Sequence, residues 1–176
     1  KIIMLGFVLN KPNNEIAIAE INTLAGAGSF VGGLYVIDAA YSKKLTRLAF
    51  TKEIYEIKDG EKKKIADLNK KNRFESRRAH LLPAGHPAMT HPRVARAMIN
   101  LSGASKEVLD PFCGAGGILI EAGLCGLKAT GFDIDEKTIL RAEKNLEHLK
   151  QQIFHWSIDQ WNSVCSKTAH DVRNVM

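Results

Sequence analysis

One eight-residue turn, Asp110-Pro111-Phe112-Cys113-Gly114-Ala115-Gly116-Gly117, constrains this chain more tightly than any other stretch. It lies between two short runs that read as β-strands, Glu107-Val108-Leu109-Asp110 and Lys128-Ala129-Thr130-Gly131-Phe132-Asp133. A helix is expected from about 117 to 125, another from about 136 to 149, and a third strand over 152–158 that ends at Asp159. In the second helix Ile139, Ala142, Leu146 and Leu149 fall on one side, as a helix packed on a sheet requires. Strand–helix alternation at this spacing implies parallel strands joined by crossovers. The expected fold is therefore α/β, with an open parallel sheet of three strands and residues 171–176 as a candidate fourth.

Ligands of open α/β sheets sit beyond the carboxyl ends of the strands. Asp110, Asp133 and Asp159 occupy those ends. The small residues of the turn let backbone approach a ligand closely and aim the N–H groups of the next helix at a negative group. Asp133 can accept bonds from both hydroxyls of a ribose, and Ile134 can cover the face of a base. Asp159 can accept from an adenine amine, or it is simply an exposed loop acid. A backbone seat for an amino-acid carboxylate, a carboxylate for a ribose and an apolar wall for a base together suit S-adenosylmethionine. The candidate cofactor residues are Asp110, Pro111, Phe112, Cys113, Gly114, Gly116, Asp133, Ile134 and Asp159. A dinucleotide fingerprint would need its third glycine at Leu119, and no Gly-Lys-Ser/Thr follows to make a P-loop. A glycine turn with no ligand is the bland alternative. Cys113 reads as a small residue beside the ligand rather than a nucleophile, because no base or cation stands near it in sequence.

The first half of the chain reads differently. Residues 2–9 are strand-like, 15–25 helical, 34–37 strand-like and 43–57 helical, which makes 1–57 a small α+β module. The apolar opening at Lys1–Leu9 has no small-residue cleavage site after it, so it reads as a strand. A start at Lys1 suggests that a leading segment is missing. Residues 58–72 are polar and Lys-rich and mark a linker, 73–85 look extended, and 92–101 forms a helix with Val94, Ala97, Met98 and Leu101 on one face. The domains expected are thus 1–57, a basic linker and extended segment over 58–85, and the ligand-binding domain over 86–176.

The net charge of +6 is unevenly placed: residues 52–78 hold ten Lys/Arg against six Asp/Glu, and 79–176 hold ten of each. The basic run is either a solvated linker or a phosphate-contacting stripe, for which Lys70, Lys71, Arg73, Arg77 and Arg78 are the candidate RNA contacts. Cys113, Cys125 and Cys165 are odd in number and widely spaced, which argues for a reducing cytosol and against a disulfide framework or a zinc site. No apolar run is long enough for a membrane span.

The stretch Asp110–Ala122, followed by Gly131-Phe132-Asp133-Ile134-Asp135 and Ala142-Glu143-Lys144-Asn145, resembles the THUMP-associated RNA methyltransferases. Within them it is similar to the archaeal tRNA guanosine-N2 methyltransferases of position ten. Arg73–His80, His86-Pro87-Ala88-Met89 and Pro92–Ala97 match the segment those enzymes place before the turn, and the N-terminal module, which ends in Leu48–Glu56, is similar to their ferredoxin-like N-terminal domain. The resemblance implies a Rossmann-like class I fold, S-adenosylmethionine as donor and no metal. It also implies tRNA as substrate, a cytoplasmic location and direct methyl transfer to guanine N2 with the base flipped from its stack.

Two departures stand beside it. Only about twenty residues fill the place of the THUMP domain, and no Asp/Asn-Pro-Pro-Tyr motif occurs in 1–176. The expectation is a chain that stops just before that motif, with its catalytic residues beyond Met176, so none is assigned. RNA capture then falls to the N-terminal module, the basic linker or a partner, and a small activator subunit or self-association is the protein partner expected. The rival readings are an rRNA or DNA amino-methyltransferase and a catalytically inactive scaffold that binds RNA. His86 and His91 beside prolines read as turn and cap residues, and Trp156 and Trp161 as packing.

Overall fold

The structure is a computed structural model, and it describes residues 3–152. Two compact units divide the chain: Lys1–Arg73 with Arg96–Gly103, and Phe74–Ala95 with the residues from Ala104 onward.

The first unit is a five-stranded antiparallel sheet in the order β2-β3-β1-β4-β5. Its strands are β1 (Met4–Leu9), β2 (Ser29–Val31), β3 (Leu34–Ile37), β4 (Thr51–Lys58) and β5 (Glu61–Asp67), with helices α1 (Asn14–Ala25) and α2 (Leu68–Asn72). Directly opposed residues share a sheet face. Leu5 therefore sides with Ile37, and Phe7 with Tyr35 and Ile54. All five are buried, as are Ala17, Ile21 and Leu24 of α1. The Tyr35 hydroxyl ties that helix to the sheet by donating to Asn22 Oδ1 (2.8 Å) and accepting from Gly28 N (2.9 Å).

Glu20 of α1 is fully buried in this unit. Its carboxylate accepts from the N–H groups of Ala49 (3.0 Å) and Phe50 (2.9 Å) and from Asn100 Nδ2 (2.7 Å). Burial pushes its pKa above the usual carboxylate value, and the three hydrogen bonds oppose that shift.

Two expectations for this half are corrected. Residues 43–57 are not a helix: a 3₁₀ turn at Lys43–Arg47 leads into β4. Nor is 58–72 a linker, because it forms the β4–β5 hairpin, β5 and α2. Asp59 and Gly60 both have positive φ (52° and 84°), as a two-residue hairpin turn requires. The lysines of β5 sit against the acids of β4: Lys63 opposes Glu56, and Lys64 Nζ reaches Glu53 Oε1 at 2.9 Å. Cross-strand pairing on an edge strand explains a lysine run that in sequence looks unstructured. The first unit consequently runs on to Arg73.

The second unit begins with 3₁₀ turns at Phe74–Arg77 and Ala79–Leu81 where an extended segment was expected. Helix α3 (Pro92–Leu101) forms as expected; its residues to Ala95 count with this unit and those from Arg96 with the first. Strands β6 (Glu107–Asp110) and β7 (Lys128–Gly131) are parallel, in register from Glu107↔Lys128 to Asp110↔Gly131. Helix α4 (Gly117–Leu124) connects them and packs on both, and α5 (Glu136–Gln152) packs on α4. The α/β class thus holds for this unit. Because α5 runs through Gln152, it takes the first residue of the expected third strand. The rest of that strand, Asp159, both tryptophans and residues 171–176 lie outside the described residues. Among the described residues no helix is long and apolar enough to cross a membrane.

Candidate functional site

The site grows from the turn between β6 and α4. Its backbone crosses to the other strand end, where Cys113 N donates to Phe132 O (2.8 Å) and Phe132 N to Asp110 O (2.9 Å). Gly116 begins α4 in the left-handed region (φ 89°), and a Cβ there would lie 3.2 Å from that of Ala142 on α5. A glycine at this position gives both the turn and the close approach of α5. Asn145, fully buried on α5, fixes the same turn: its Nδ2 donates to Ala115 O (3.0 Å), and its Oδ1 accepts from Ala84 N (2.9 Å).

Asp133 spans the two strand ends. Its Oδ2 accepts from Gly114 N (2.9 Å), and its Oδ1 accepts from Asp135 N (3.0 Å). A carboxylate has about four acceptor positions, so both oxygens keep one for a ligand. Asp110 is 8% exposed and accepts from Phe112 N (3.1 Å). Burial raises its pKa, Asp133's charge adds to the rise, and the Phe112 bond opposes it. Two carboxylates held this way favour a cation between or near them.

Cys113 is buried, and its thiol is pushed up to about 11 by burial and then by the charges of Asp110 and Asp133. It packs where Gly131 leaves room, since a Cβ on Gly131 would lie 2.8 Å from Cys113 Cβ and 2.6 Å from Leu119 Cδ1. The small-residue reading of Cys113 thereby gains a physical reason.

A cavity of about 380 Å³ opens among these residues, within the usual range for ligand pockets. Of the candidate cofactor residues it brings together Asp110, Phe112, Cys113, Gly114 and Asp133. Pro111, Gly116 and Ile134 do not line it. Phe112 and Ile134 stand nearly bare at 81% and 88% exposure, an unusual state for large apolar side chains beside a cavity.

Sequence reasoning missed Lys137, Thr138 and Arg141, which line the opposite wall from α5. The signal that could have found them is Asp135-x-x-Thr138, a helix start that turns this wall toward Asp133. Asp135 caps α5 by accepting from Lys137 N (3.1 Å) and Thr138 Oγ1 (2.6 Å), and the Thr138 bond leads in lowering its pKa. His86, Met89 and Thr90 complete the pocket. His86 Nδ1 accepts from Ala88 N, and His91 Nδ1 accepts from Arg93 N at the start of α3, both at 3.2 Å. These are the turn and cap roles expected. Burial holds the pKa of His91 below its usual value, with Arg78 adding to the effect.

The candidate RNA contacts scatter. Arg77 is overturned as one: it is buried, with Nε 2.6 Å from Glu121 Oε1 and Nη2 3.2 Å from Oε2, and it lies over the Phe74 ring. Arg93 lies over the same ring. An apolar floor and a fully buried glutamate hold Arg77 inside the unit, where no phosphate can reach it. Arg78 Nε is 2.7 Å from Glu75, and Lys70 Nζ is 3.8 Å from Asp67. Lys71 and Arg73 are exposed. Among the described residues no cluster of His, Cys, Asp and Glu could hold a metal ion.

Comparison with known proteins bears on this geometry. Residues 80–174 match the family described as UPF0020, RMKL-like, methyltransferase domain. Among curated proteins the chain is similar to the tRNA (guanine(10)-N2)-dimethyltransferases of Pyrococcus abyssi and Methanothermobacter thermautotrophicus. Identity to the first is 52% over 75 residues (43% of this chain, 23% of the relative). Identity to the second is 48% over 80 residues (44% and 24%). The protein of the same description from Methanocaldococcus jannaschii is 44% identical over 85 residues (47% and 24%). The matched stretch thus spans about a quarter of each relative. The family match contains every residue that lines the cavity.

Proposed function

This chain belongs to the family of RMKL-like methyltransferase domains, and from that premise we propose that it seats S-adenosylmethionine and methylates guanine N2 in tRNA. One observation carries the donor half. Asp133 stands at the end of β7 with an acceptor position free on each oxygen, beside the unobstructed backbone of Gly114. A Cβ on Gly114 would meet nothing within 4 Å, so the space beside its Cα is open to a ligand, while its N–H holds Asp133 in place.

The donor set fits the group. Asp133 takes the ribose hydroxyls. Phe112 and Ile134, bare in the free chain, lie against the adenine and lose their exposure to water. The N-terminus of α4, with its unpaired N–H groups, faces the methionine carboxylate. Asp110 and Asp133 complement the ligand's positive charges. When bound, S-adenosylmethionine supplies an electrophilic methyl on a sulfonium. The part played by the residues described here is to hold that methyl in place and keep water from it. The parallel β6–α4–β7 unit followed by α5 supports a Rossmann-like arrangement, to which Asp159 would add an adenine contact. The names of the relatives supply the acceptor, a guanine amine of tRNA. Such an activity belongs in the cytoplasm, in keeping with the free Cys113 and Cys125.

Calorimetric titration of the full chain with S-adenosylmethionine tests the donor half. Asp133→Ala should weaken binding by about ten- to a hundredfold, the loss of hydrogen bonds to a charged acceptor. A wild-type chain with no affinity for the donor sinks the reading. Transfer of labelled methyl to an unmodified tRNA transcript tests the acceptor half. A transcript with inosine at position 10 lacks the N2 amine and should take up no methyl there.

A further inference from the structure

We propose that Lys137, Arg141 and Lys144 form a phosphate track on α5, which guides the RNA strand along the second unit to the mouth of the pocket. The inference rests on the tRNA reading above and names the surface that reading lacks. Positions 137, 141 and 144 are i, i+4 and i+7 of one helix, so their side chains lie along one line. Lys137 and Arg141 line the cavity beside Asp133. All three line a second, shallower hollow of about 790 Å³, which runs down α5 past the Ala84–Gly85 turn. One row of cations thus joins the two concavities.

The charges of this row are available, in contrast to the run at 62–78. There Lys64, Lys70, Arg77 and Arg78 each stand within ion-pair distance of an acid. Lys137, Arg141 and Lys144 have no ion pair among the described residues. Their arrangement also works against the helix. Like charges at i,i+4 and i,i+3 repel, and Lys137 lies in the first turn, where the helix dipole disfavours a cation. Asp135 at the helix start offsets part of the Lys137 charge, and the remaining line of like charges points to a ligand that relieves it. A polyanion laid along the row does so, and Leu140, 56% exposed between the cations, offers apolar contact to a sugar or base face. Glu143 and Glu147 line the remaining wall of the hollow and confine the anion to the cationic side.

Lys144 lines only the outer hollow and not the cofactor cavity, so it separates RNA contact from donor contact. The test compares the full wild-type chain with Lys144→Glu, Lys144→Arg and Lys71→Glu. Binding of an unmodified tRNA transcript is read by anisotropy over a range of salt, and binding of S-adenosylmethionine by calorimetry. Lys144→Glu should weaken tRNA binding several-fold and lower the slope of log affinity against log salt by about one. Lys144→Arg should restore both, and donor affinity should be unchanged in all three variants. The proposal is overturned if the slope and affinity of Lys144→Glu equal those of wild type. It is also overturned if Lys71→Glu carries the whole effect, because the track would then lie on the first unit. Loss of donor binding by the wild type is a separate outcome, which defeats the functional reading itself.

Discussion

Each unit buries one glutamate completely, and the two are satisfied by opposite means. Glu20, in the antiparallel unit, is held by neutral donors: two backbone N–H groups and the Asn100 amide. Glu121, in the unit that carries the site, is held by the Arg77 guanidinium through two hydrogen bonds. The units differ in net charge as well. The first holds fourteen Lys/Arg against eight Asp/Glu, and the second eleven of each. The basic unit, then, keeps a carboxylate buried without a cation bonded to it, while the neutral unit encloses an ion pair. A buried charge can be stabilised by oriented dipoles or by a countercharge, and the two solutions fail differently when disturbed.

The largest effect expected lies at the ion pair. Arg77→Ala removes the guanidinium bonded to the fully buried Glu121 carboxylate, and should cost about 3–5 kcal/mol in a urea titration. If the double change Arg77→Met/Glu121→Leu recovers most of that loss, the pair is a replaceable packing element. If it does not, the comparison sharpens, because the Phe74–Arg77–Glu121 stack then specifies the fold locally. Glu20→Gln comes next. Its amide nitrogen cannot accept, so one of the three donors is left facing another donor, at a cost of about 1–3 kcal/mol. Equal losses for Glu20→Gln and Arg77→Ala would break the comparison.

The pH dependence of Glu20 follows from the sign of its shift. The folded carboxyl keeps its proton to a higher pH than the unfolded one, whose value is near 4.5. Stability should therefore fall as pH climbs from about that value through the raised folded value, and level off above it. Burial of Asp110 acts in the same direction. The difference between wild type and Glu20→Gln across this window isolates Glu20, and an identical slope in both would remove it from the account. The smallest effect belongs to the edge strand. Lys63→Ala, opposite Glu56, should change stability by about 0.5 kcal/mol or less. A larger loss would mean that the cross-strand charges are a structural element of the basic unit.

Legibility in the sequence differs between the units for the same kind of reason. In the second, every element between Pro92 and α5 is bounded by punctuation: Pro92, Gly103, the glycine turn, Gly126 and Asp135. Apolar residues repeat there with a clear period, so α3, β6, α4, β7 and α5 could be read within a few residues of their ends. In the first, β4 is rich in Glu and Lys, residues that favour helices, and a bulge between Ile54 and Tyr55 interrupts its pairing with β5. The signal was there in Asp59-Gly60, a strong hairpin dipeptide, hidden by the lysines that follow. Among site residues, Asp110, Phe112, Cys113, Gly114 and Asp133 could be read because backbone geometry dictates them. Lys137 and Arg141 were missed, because a charged residue on a helix looks the same in sequence whether it faces water or a cavity unless the helix start at Asp135 is used to orient it. Arg77 was misjudged for the converse reason, since its partner Glu121 lies forty-four positions away.

The raised thiol of Cys113 has a chemical consequence for the molecule proposed to sit beside it. A methyl sulfonium is an alkylating agent, and the strongest nucleophile a protein can set against it is a thiolate. With its pKa near 11, Cys113 is ionised at pH 7 in only about one molecule in ten thousand. Burial does most to hold this proton in place, and the carboxylates that would draw the cation in add to it. A pocket so arranged keeps the thiol that borders it in its protonated, weakly nucleophilic form.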